Sequence, residues 1–249
     1  VEFKRPGSFK PVSGMTSGGA FGLTAGQWTD DTSLALCLSE SLIETKGFDL
    51  VDRLERYVLW YRHGHLSSTG ECFDIGNTTS SALQAFERTG DPHSGPTASS
   101  TAGNGSIMRL APVPLVYADK FVEAVDKSGE SSRTTHGSIE AVDSCRYLGA
   151  LISGAVSGAS KKDLLSDHYS REPGYWDENP LSVKVEAIAK GSFKEKSPPL
   201  IKGGGYVIEC LEAALWAFHN SESFEAGCLL AVNLGDDSDT TGAVYGQLA

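Results

Sequence analysis

Two oxygen-rich clusters stand out for their chemistry, Trp28-Thr29-Asp30-Asp31-Thr32 near one end of the sequence and Gly235-Asp236-Asp237-Ser238-Asp239-Thr240 near the other. Each crowds carboxylates and hydroxyls into one turn just ahead of a helix-like run. Neighbouring like charges repel, and a hard divalent cation is the partner that makes such crowding favourable. Oxygen donors of this kind suit Mg²⁺, Mn²⁺ or Ca²⁺ rather than zinc. The spacing therefore predicts a split oxygen-ligand metal site, half of it from each motif.

Simpler readings compete. Asp30 or Asp31 could do no more than cap the helix that begins at Thr32, since Asp is a leading cap residue; a cap, however, needs one aspartate, not two and a threonine. Asp237-Ser238-Asp239-Thr240-Thr241-Gly242 also resembles the start of a helix-loop-helix calcium loop, but the twelfth position is Leu248 instead of the bidentate Glu that loop requires.

Other polar segments follow the same theme. Asp74-Ile75-Gly76-Asn77, Gly103-Asn104-Gly105-Ser106 and Thr134-Thr135-His136 are each expected at the start of a helix, where free N–H groups and the dipole favour carboxylates and can bind phosphate. Gly-Asn-Gly can be an ordinary turn or a flexible cradle of amide donors for a diphosphate or ribose. His136 can be a packing histidine, Asp74 an ordinary cap, and Glu2 a residue of a disordered terminus. His63 and His65 read as a solvated helix end.

The elements that must position these groups are helical. Leu34, Leu38, Leu42 and Ile43 form one apolar stripe, and Leu50, Leu54, Tyr57, Val58 and Tyr61 form the next, separated by Gly47. A third helix is predicted over Asn77 to Arg88, ended by Asp91-Pro92. Further helices are predicted over Ala118 to Ser128, Gly137 to Val156, Lys161 to Tyr169, Leu181 to Ala189, Tyr206 to Phe218, Phe224 to Asn233 and Thr240 to Ala249. Pro92 to Gly105 reads as a loop, and Arg171 to Asn179 and Gly191 to Gly205 as surface connections. Period-two strands are absent, which predicts an all-α domain.

The 249 residues suffice for one sizeable core without a low-complexity break. The formal net charge of −11 and the absence of a Lys/Arg run disfavour unaided binding to nucleic acid or anionic lipid. The five cysteines are scattered with no C-x-x-C pair, so neither a disulfide framework nor a zinc site is expected. No run of about 18 apolar residues predicts a membrane span, no basic-then-apolar leader opens the chain, and a cytoplasmic location is expected. Both ends read as cut, with no initiator methionine at Val1 and no helix stop at Ala249, so material is expected beyond each.

Together the segments resemble the ADP-ribosylglycohydrolase family, which includes the dinitrogenase-reductase-activating glycohydrolases and the ADP-ribosylhydrolases. The matching stretches are Val1-Glu2-Phe3, Trp28 to Thr32, Phe73 to Thr78, Gly103 to Arg109, Thr134 to His136 and Asn233 to Thr240, in family order. The resemblance implies a single multi-helix domain over residues 1–249, apparently lacking its first and last helices. It implies two divalent cations, magnesium or manganese, held by Thr29, Asp30, Asp31, Asp237, Asp239 and Thr240. Asp236 stands where the family usually has glycine.

The resemblance further implies hydrolysis of the glycosidic bond between ADP-ribose and an acceptor such as a protein side chain. Glu2 or Asp74 would serve as base or acid, Gly76, Asn77, Gly103, Asn104, Gly105, Ser106 and Met108 would border the diphosphate and ribose, and His136 would contact the adenosine side. ADP-ribose or an ADP-ribosylated protein would be the partner. Two other functions fit the same residues: a non-catalytic, crystallin-like relative, and a metal-dependent nucleotide phosphohydrolase. The acceptor linkage and the oligomeric state are not encoded in these motifs.

Overall fold

Leu34, Leu38 and Leu42 are spaced four apart and all buried, forming the inner face of α1 (Asp30–Glu44). Each such leucine contributes about 1.5–3 kcal/mol by leaving water. The computed structural model describes residues 1–249 and repeats this pattern along the chain. Helix α2 (Leu50–His63) is capped by Asp49, whose carboxylate accepts from the Val51 and Asp52 amides, and it ends at the left-handed Gly64. Helix α3 (Asn77–Thr89) ends the same way at Gly90. The short α4 (Pro112–Val116) begins on a proline, which loses nothing at a first turn.

Helices α5 (Phe121–Arg133) and α6 (Ile139–Val156) form the centre. Helix α6 is buried on most of its surface, and α4, α5, α10, α9 and α12 all pack around it. The remaining helices are α7 (Lys161–Leu164), α8 (Tyr175–Glu178), α9 (Val183–Ala189), α10 (Val207–His219), α11 (Phe224–Val232) and α12 (Ser238–Leu248). A single cluster of 43 buried apolar residues runs through them. The expected all-α class is what forms: the only β pairings are two isolated bridges, Gly18 with Leu23 and Gly103 with Tyr206. No helix is long and apolar enough to cross a membrane.

Several boundaries differ from the sequence reading. The helix expected from Ala118 starts at Phe121 and runs on to Arg133, because residues 117 to 120 form a turn closed by the Lys120 amide on the Tyr117 carbonyl. The helix expected over Lys161 to Tyr169 stops at Leu164, where the Ser166 amide turns back to the Asp163 carbonyl. Arg171 to Asn179 and Gly191 to Gly205 are not merely surface connections. Tyr175, Trp176, Phe193 and Ile201 in them are core residues, and Gly203 and Gly204 are buried. His65 is not simply solvated, since its Nε2 lies 2.7 Å from Glu40 Oε2.

Residues 1–29 carry no helix and are tied down by their ends. The Phe3 amide donates to the Asp236 carbonyl at 2.7 Å, and the Asp236 amide to the Lys4 carbonyl at 2.8 Å. Asn233 holds Val12 by both backbone groups, at 2.8 and 3.0 Å. Gly235 makes this approach possible: a Cβ there would lie 2.6 Å from the Lys4 carbonyl oxygen, and its φ is +74°.

Candidate active site

The first motif sits on the opening turn of α1. Thr29 occupies the cap position, yet its side chain makes no cap bond and donates instead to Asp31 Oδ2 at 3.0 Å. Asp30 and Asp31 follow in the first turn, 6% and 3% exposed. The reading of either aspartate as the cap is therefore corrected: both lie inside the first turn, and Thr29 holds the cap position.

The second motif opens α12. Asp237 is its cap residue by position but makes no side-chain cap bond, and its Oδ2 accepts from Asn104 Nδ2 at 2.8 Å. The free amides of α12 are taken by a residue from the far end of the chain. Glu2 Oε2 accepts from the Ser238 amide at 2.9 Å, the Ser238 hydroxyl at 3.0 Å and the Asp239 amide at 3.1 Å. Asp236, whose role the motif left open, serves this arrangement through its backbone by pairing with Phe3 and Lys4. Glu2 is thus an anchored residue and not part of a disordered terminus.

The two motifs converge. One oxygen each from Glu2, Asp237 and Asp239 lie within 4.8 Å of one another, a cluster able to hold a metal ion. Burial and then Asp31 hold the Asp30 carboxyl well above the usual range, with Asp74, Asp239 and Asp237 adding to the effect. Burial and then Asp239 and Asp237 do the same to Asp31. Glu2 is pushed up to about 9 by burial and Asp239, and Asp74 to about 7 by burial, Asp239 and Asp237. Asp31 Oδ1 and Asp239 Oδ2 are buried and have no hydrogen-bond partner. A buried acceptor left unpaired costs about 1–3 kcal/mol, more when charged. A hard cation would satisfy both oxygens and offset the mutual repulsion, so the residues present fit a divalent metal.

Two cavities adjoin this acidic wall, and Glu2 borders both. One, of about 390 Å³, is lined by Asp30, Asp74, Asp237 and Thr240 on its acidic side. Gly76, Asn77, Gly103, Asn104, Gly105, Met108 and His136 form its other walls. The second, of about 570 Å³, reaches Thr29, Asp31 and Asp239 and is bounded by residues of the 12–28 segment and of α11.

Of the expected site residues, only Ser106 is off these walls. It is buried behind them, where its hydroxyl accepts from Ser132 Oγ at 2.8 Å.

Local geometry corrects three expectations. Gly103-Asn104-Gly105 opens a tight turn, not a helix, with the Asn104 carbonyl accepting from Ile107 and Met108 at 3.1 Å. Thr134-Thr135-His136 ends α5 and does not begin α6, which is capped by Ser138. Asp74 caps nothing: α3 is capped by Gly76, and Asp74 holds a left-handed φ of +61°.

His136 is buried, and its Nδ1 lies 2.9 Å from Thr135 Oγ1. Burial and then Arg109 push its pKa down to about 3, so the ring is neutral. It lies so close to the turn that a Cβ on Gly105 would stand 2.9 Å from its Cε1.

Sequence reasoning missed the residues that hold these pieces together. Arg109, 1% exposed, donates to Tyr57 Oη at 3.1 Å, the Gly105 carbonyl at 2.6 Å and Thr135 Oγ1 at 2.6 Å. It joins the glycine turn to the end of α5. The Gly203 and Gly205 carbonyls accept from the Asp237 and Asn104 amides at 2.8 and 3.1 Å. A Gly-Gly-Gly run inside an apparent connection was the available signal.

The model of the family described as ADP-ribosylglycohydrolase matches residues 1–249. The chain is 42% identical over 238 residues to ADP-ribosylarginine hydrolase Tri1 of Serratia proteamaculans, covering 96% of this chain and 63% of the relative. It is 27% identical over 253 residues to the ADP-ribosyl-[dinitrogen reductase] glycohydrolase of Rhodospirillum rubrum, covering 100% and 78%. A solved structure titled ADP-ribosylglycohydrolase-related protein complex superposes with a TM-score of 0.84 at 40% identity, covering all of this chain and 79% of that one. The chain thus spans less than two thirds of the Tri1 relative's length. With the convergent acidic motifs, the glycine turn and a whole-chain match agreeing, the chain belongs to the ADP-ribosylglycohydrolase family.

Proposed function

We propose that this chain, with residues 1–249 acting as one domain, hydrolyses the bond between the anomeric carbon of ADP-ribose and the guanidinium nitrogen of arginine. The observation that carries this reading is the pair of buried, unpartnered oxygens, Asp31 Oδ1 and Asp239 Oδ2, brought to one cavity by opposite ends of the sequence. The 42% identity to a relative named for ADP-ribosylarginine supports the choice of acceptor.

Thr29, Asp30, Asp31, Asp237, Asp239 and Thr240 would hold two divalent cations, magnesium or manganese. Such ions supply a grip on ribose hydroxyls and lower the pKa of bound water. Gly76, Asn77 and the Gly103–Gly105 turn, which line the cavity, would receive the diphosphate and its ribose, with Asn104 shared between that turn and Asp237. His136, neutral and fixed by Thr135, suits an uncharged adenosine edge better than a phosphate.

Cleavage through an oxocarbenium-like state needs a proton taken from water and one given to the leaving nitrogen. Asp74, with no hydrogen-bonding partner of its own, borders the cavity and would give one. Glu2 borders the same cavity and would take the other role once a bound cation, together with the Ser238 and Asp239 donors, holds it ionised.

The test is product analysis after incubating the protein with ADP-ribosylarginine and Mg²⁺ or Mn²⁺. Free ADP-ribose and arginine are expected. AMP or inorganic phosphate as the product would instead assign a phosphohydrolase, and no product with either metal would leave a non-catalytic relative.

A further inference from the structure

Three phenylalanines meet at the edge of the acidic wall. Phe3 directly follows Glu2 and Phe73 directly precedes Asp74, and Phe21 bridges them from the irregular 12–28 segment. The Phe21 ring stands edge-on to Phe3 at a centroid separation of 6.0 Å and 76°, and lies 5.3 Å from Phe73 at 57°. Phe3 borders the 390 Å³ cavity and Phe21 the 570 Å³ cavity, so the ridge lies where the two adjoin.

The rings are presented to solvent, with Phe3 60% and Phe21 38% exposed. Clustered exposed apolar area of this kind marks a contact surface. Phe3 also holds a left-handed φ of +58°, costly for a bulky residue and maintained by its backbone bond to Asp236. Neither exposure nor strain contributes to the core; both turn an aromatic ring toward the space beside Glu2.

Aromatic faces attract planar cations, and Arg guanidinium stacks on them well. Glu2 and Asp74, one residue away in sequence, offer carboxyl oxygens that can accept from guanidinium N–H groups. We propose that Phe3, Phe21 and Phe73 form the acceptor subsite, the ridge on which the guanidinium of an arginine-linked substrate rests while its ADP-ribose occupies the glycine-walled cavity. A neutral, oxygen-linked acceptor would gain only apolar contact there. This inference rests on the arginine reading above, and makes the ridge the element that selects arginine.

Phe21→Ala tests it, because Phe21 belongs to an exposed segment and not to the core. With Mg²⁺, the KM for ADP-ribosylarginine should rise roughly 3- to 30-fold, the range expected when a cation–π contact is lost. The kcat should stay near that of the unmutated protein, Phe21→Trp should restore KM, and KM for serine-linked ADP-ribose should move by less. An unchanged KM for arginine, or an equal rise for both linkages, overturns the proposal.

A second measurement does not need turnover. In the presence of Mg²⁺ and ADP-ribose, N-ethylguanidinium should broaden in NMR titrations with the unmutated protein and not with Phe21→Ala, while neutral N-ethylurea should broaden with neither. Binding of the guanidinium without any hydrolysis would keep the subsite and sink the proposed activity. Hydrolysis of ADP-ribosylarginine with no preference for the charged probe would keep the activity and sink the subsite.

Discussion

Asn104 and Asp237, 133 positions apart in sequence, are joined by one 2.8 Å hydrogen bond from the Asn104 amide nitrogen to Asp237 Oδ2. This bond ties the glycine turn that would hold substrate to the motif that would hold metal. It also leaves Asp237 Oδ1 free of that donor and therefore orients the carboxylate. Groups that orient a metal-binding side chain typically matter 10- to 100-fold for affinity or activity. Asn104→Ala should weaken Mn²⁺ binding by about that factor, read by calorimetric titration, and lower kcat/KM similarly. An unchanged Mn²⁺ affinity would mean that Asp237 is oriented by its backbone alone.

Asp31→Asn and Asp239→Asn should have opposite effects on stability and on function. Asp31→Asn removes a carboxyl whose ionised state burial, Asp239 and Asp237 disfavour, and Asp239→Asn removes one of the charges that press on it, so the metal-free protein should melt higher in both. A gain of 1 kcal/mol corresponds to about 2–4 °C for a chain of this size. The same variants should lose the rise in melting temperature that Mg²⁺ or Mn²⁺ gives the unmutated protein, and with it ADP-ribose release. A variant that melts no higher without metal yet still gains from Mn²⁺ would show that the substituted oxygen is not part of the centre.

Stability should also depend on pH in a way set by the wall. Glu2 and Asp74 are raised in the folded protein, to about 9 and about 7, from ordinary carboxylate values when unfolded. The folded state therefore binds protons more tightly, and its stability is full below about pH 4 for these groups and falls as pH rises through 7 and then 9. Metal-free protein should show a melting temperature that declines between pH 5 and 9. Saturating Mg²⁺ should flatten the decline, since a cation replaces the protons. A melting temperature that climbs over this range without metal would contradict the electrostatics assigned here.

Most of the acidic centre was legible because its residue types are costly anywhere else. Adjacent buried aspartates ask for a counter-charge, and the family resemblance implied six candidate ligands, all of which border the two cavities. What was hidden depended on neighbours distant in the chain. Glu2 caps α12 across 236 positions, and no local pattern announces that. Gly203 and Gly205 act through backbone carbonyls, which carry no residue signature. The Thr134-Thr135-His136 stretch was placed on the wrong side of a helix boundary, because polar residues end helices as readily as they begin them. Helix α4 is too short to show a period, and only Pro112 marks its start.

Arg109 offers the last test, since it connects both ends of the substrate wall without reaching the cavity. Its guanidinium holds Tyr57 Oη, the Gly105 carbonyl and Thr135 Oγ1 at once, and Thr135 in turn fixes the His136 ring. Lysine keeps the charge but presents a single point of donors in place of a planar fork, so it cannot span three acceptors. Arg109→Lys should cost about 1.5–3 kcal/mol in urea unfolding through the acceptors left unpaired. It should also raise KM for the ADP-ribose substrate by about tenfold, with Mn²⁺ affinity unchanged because no bond of Arg109 reaches the acidic motifs. A stability loss with KM intact would mean that the glycine turn and His136 keep their places without this shared anchor.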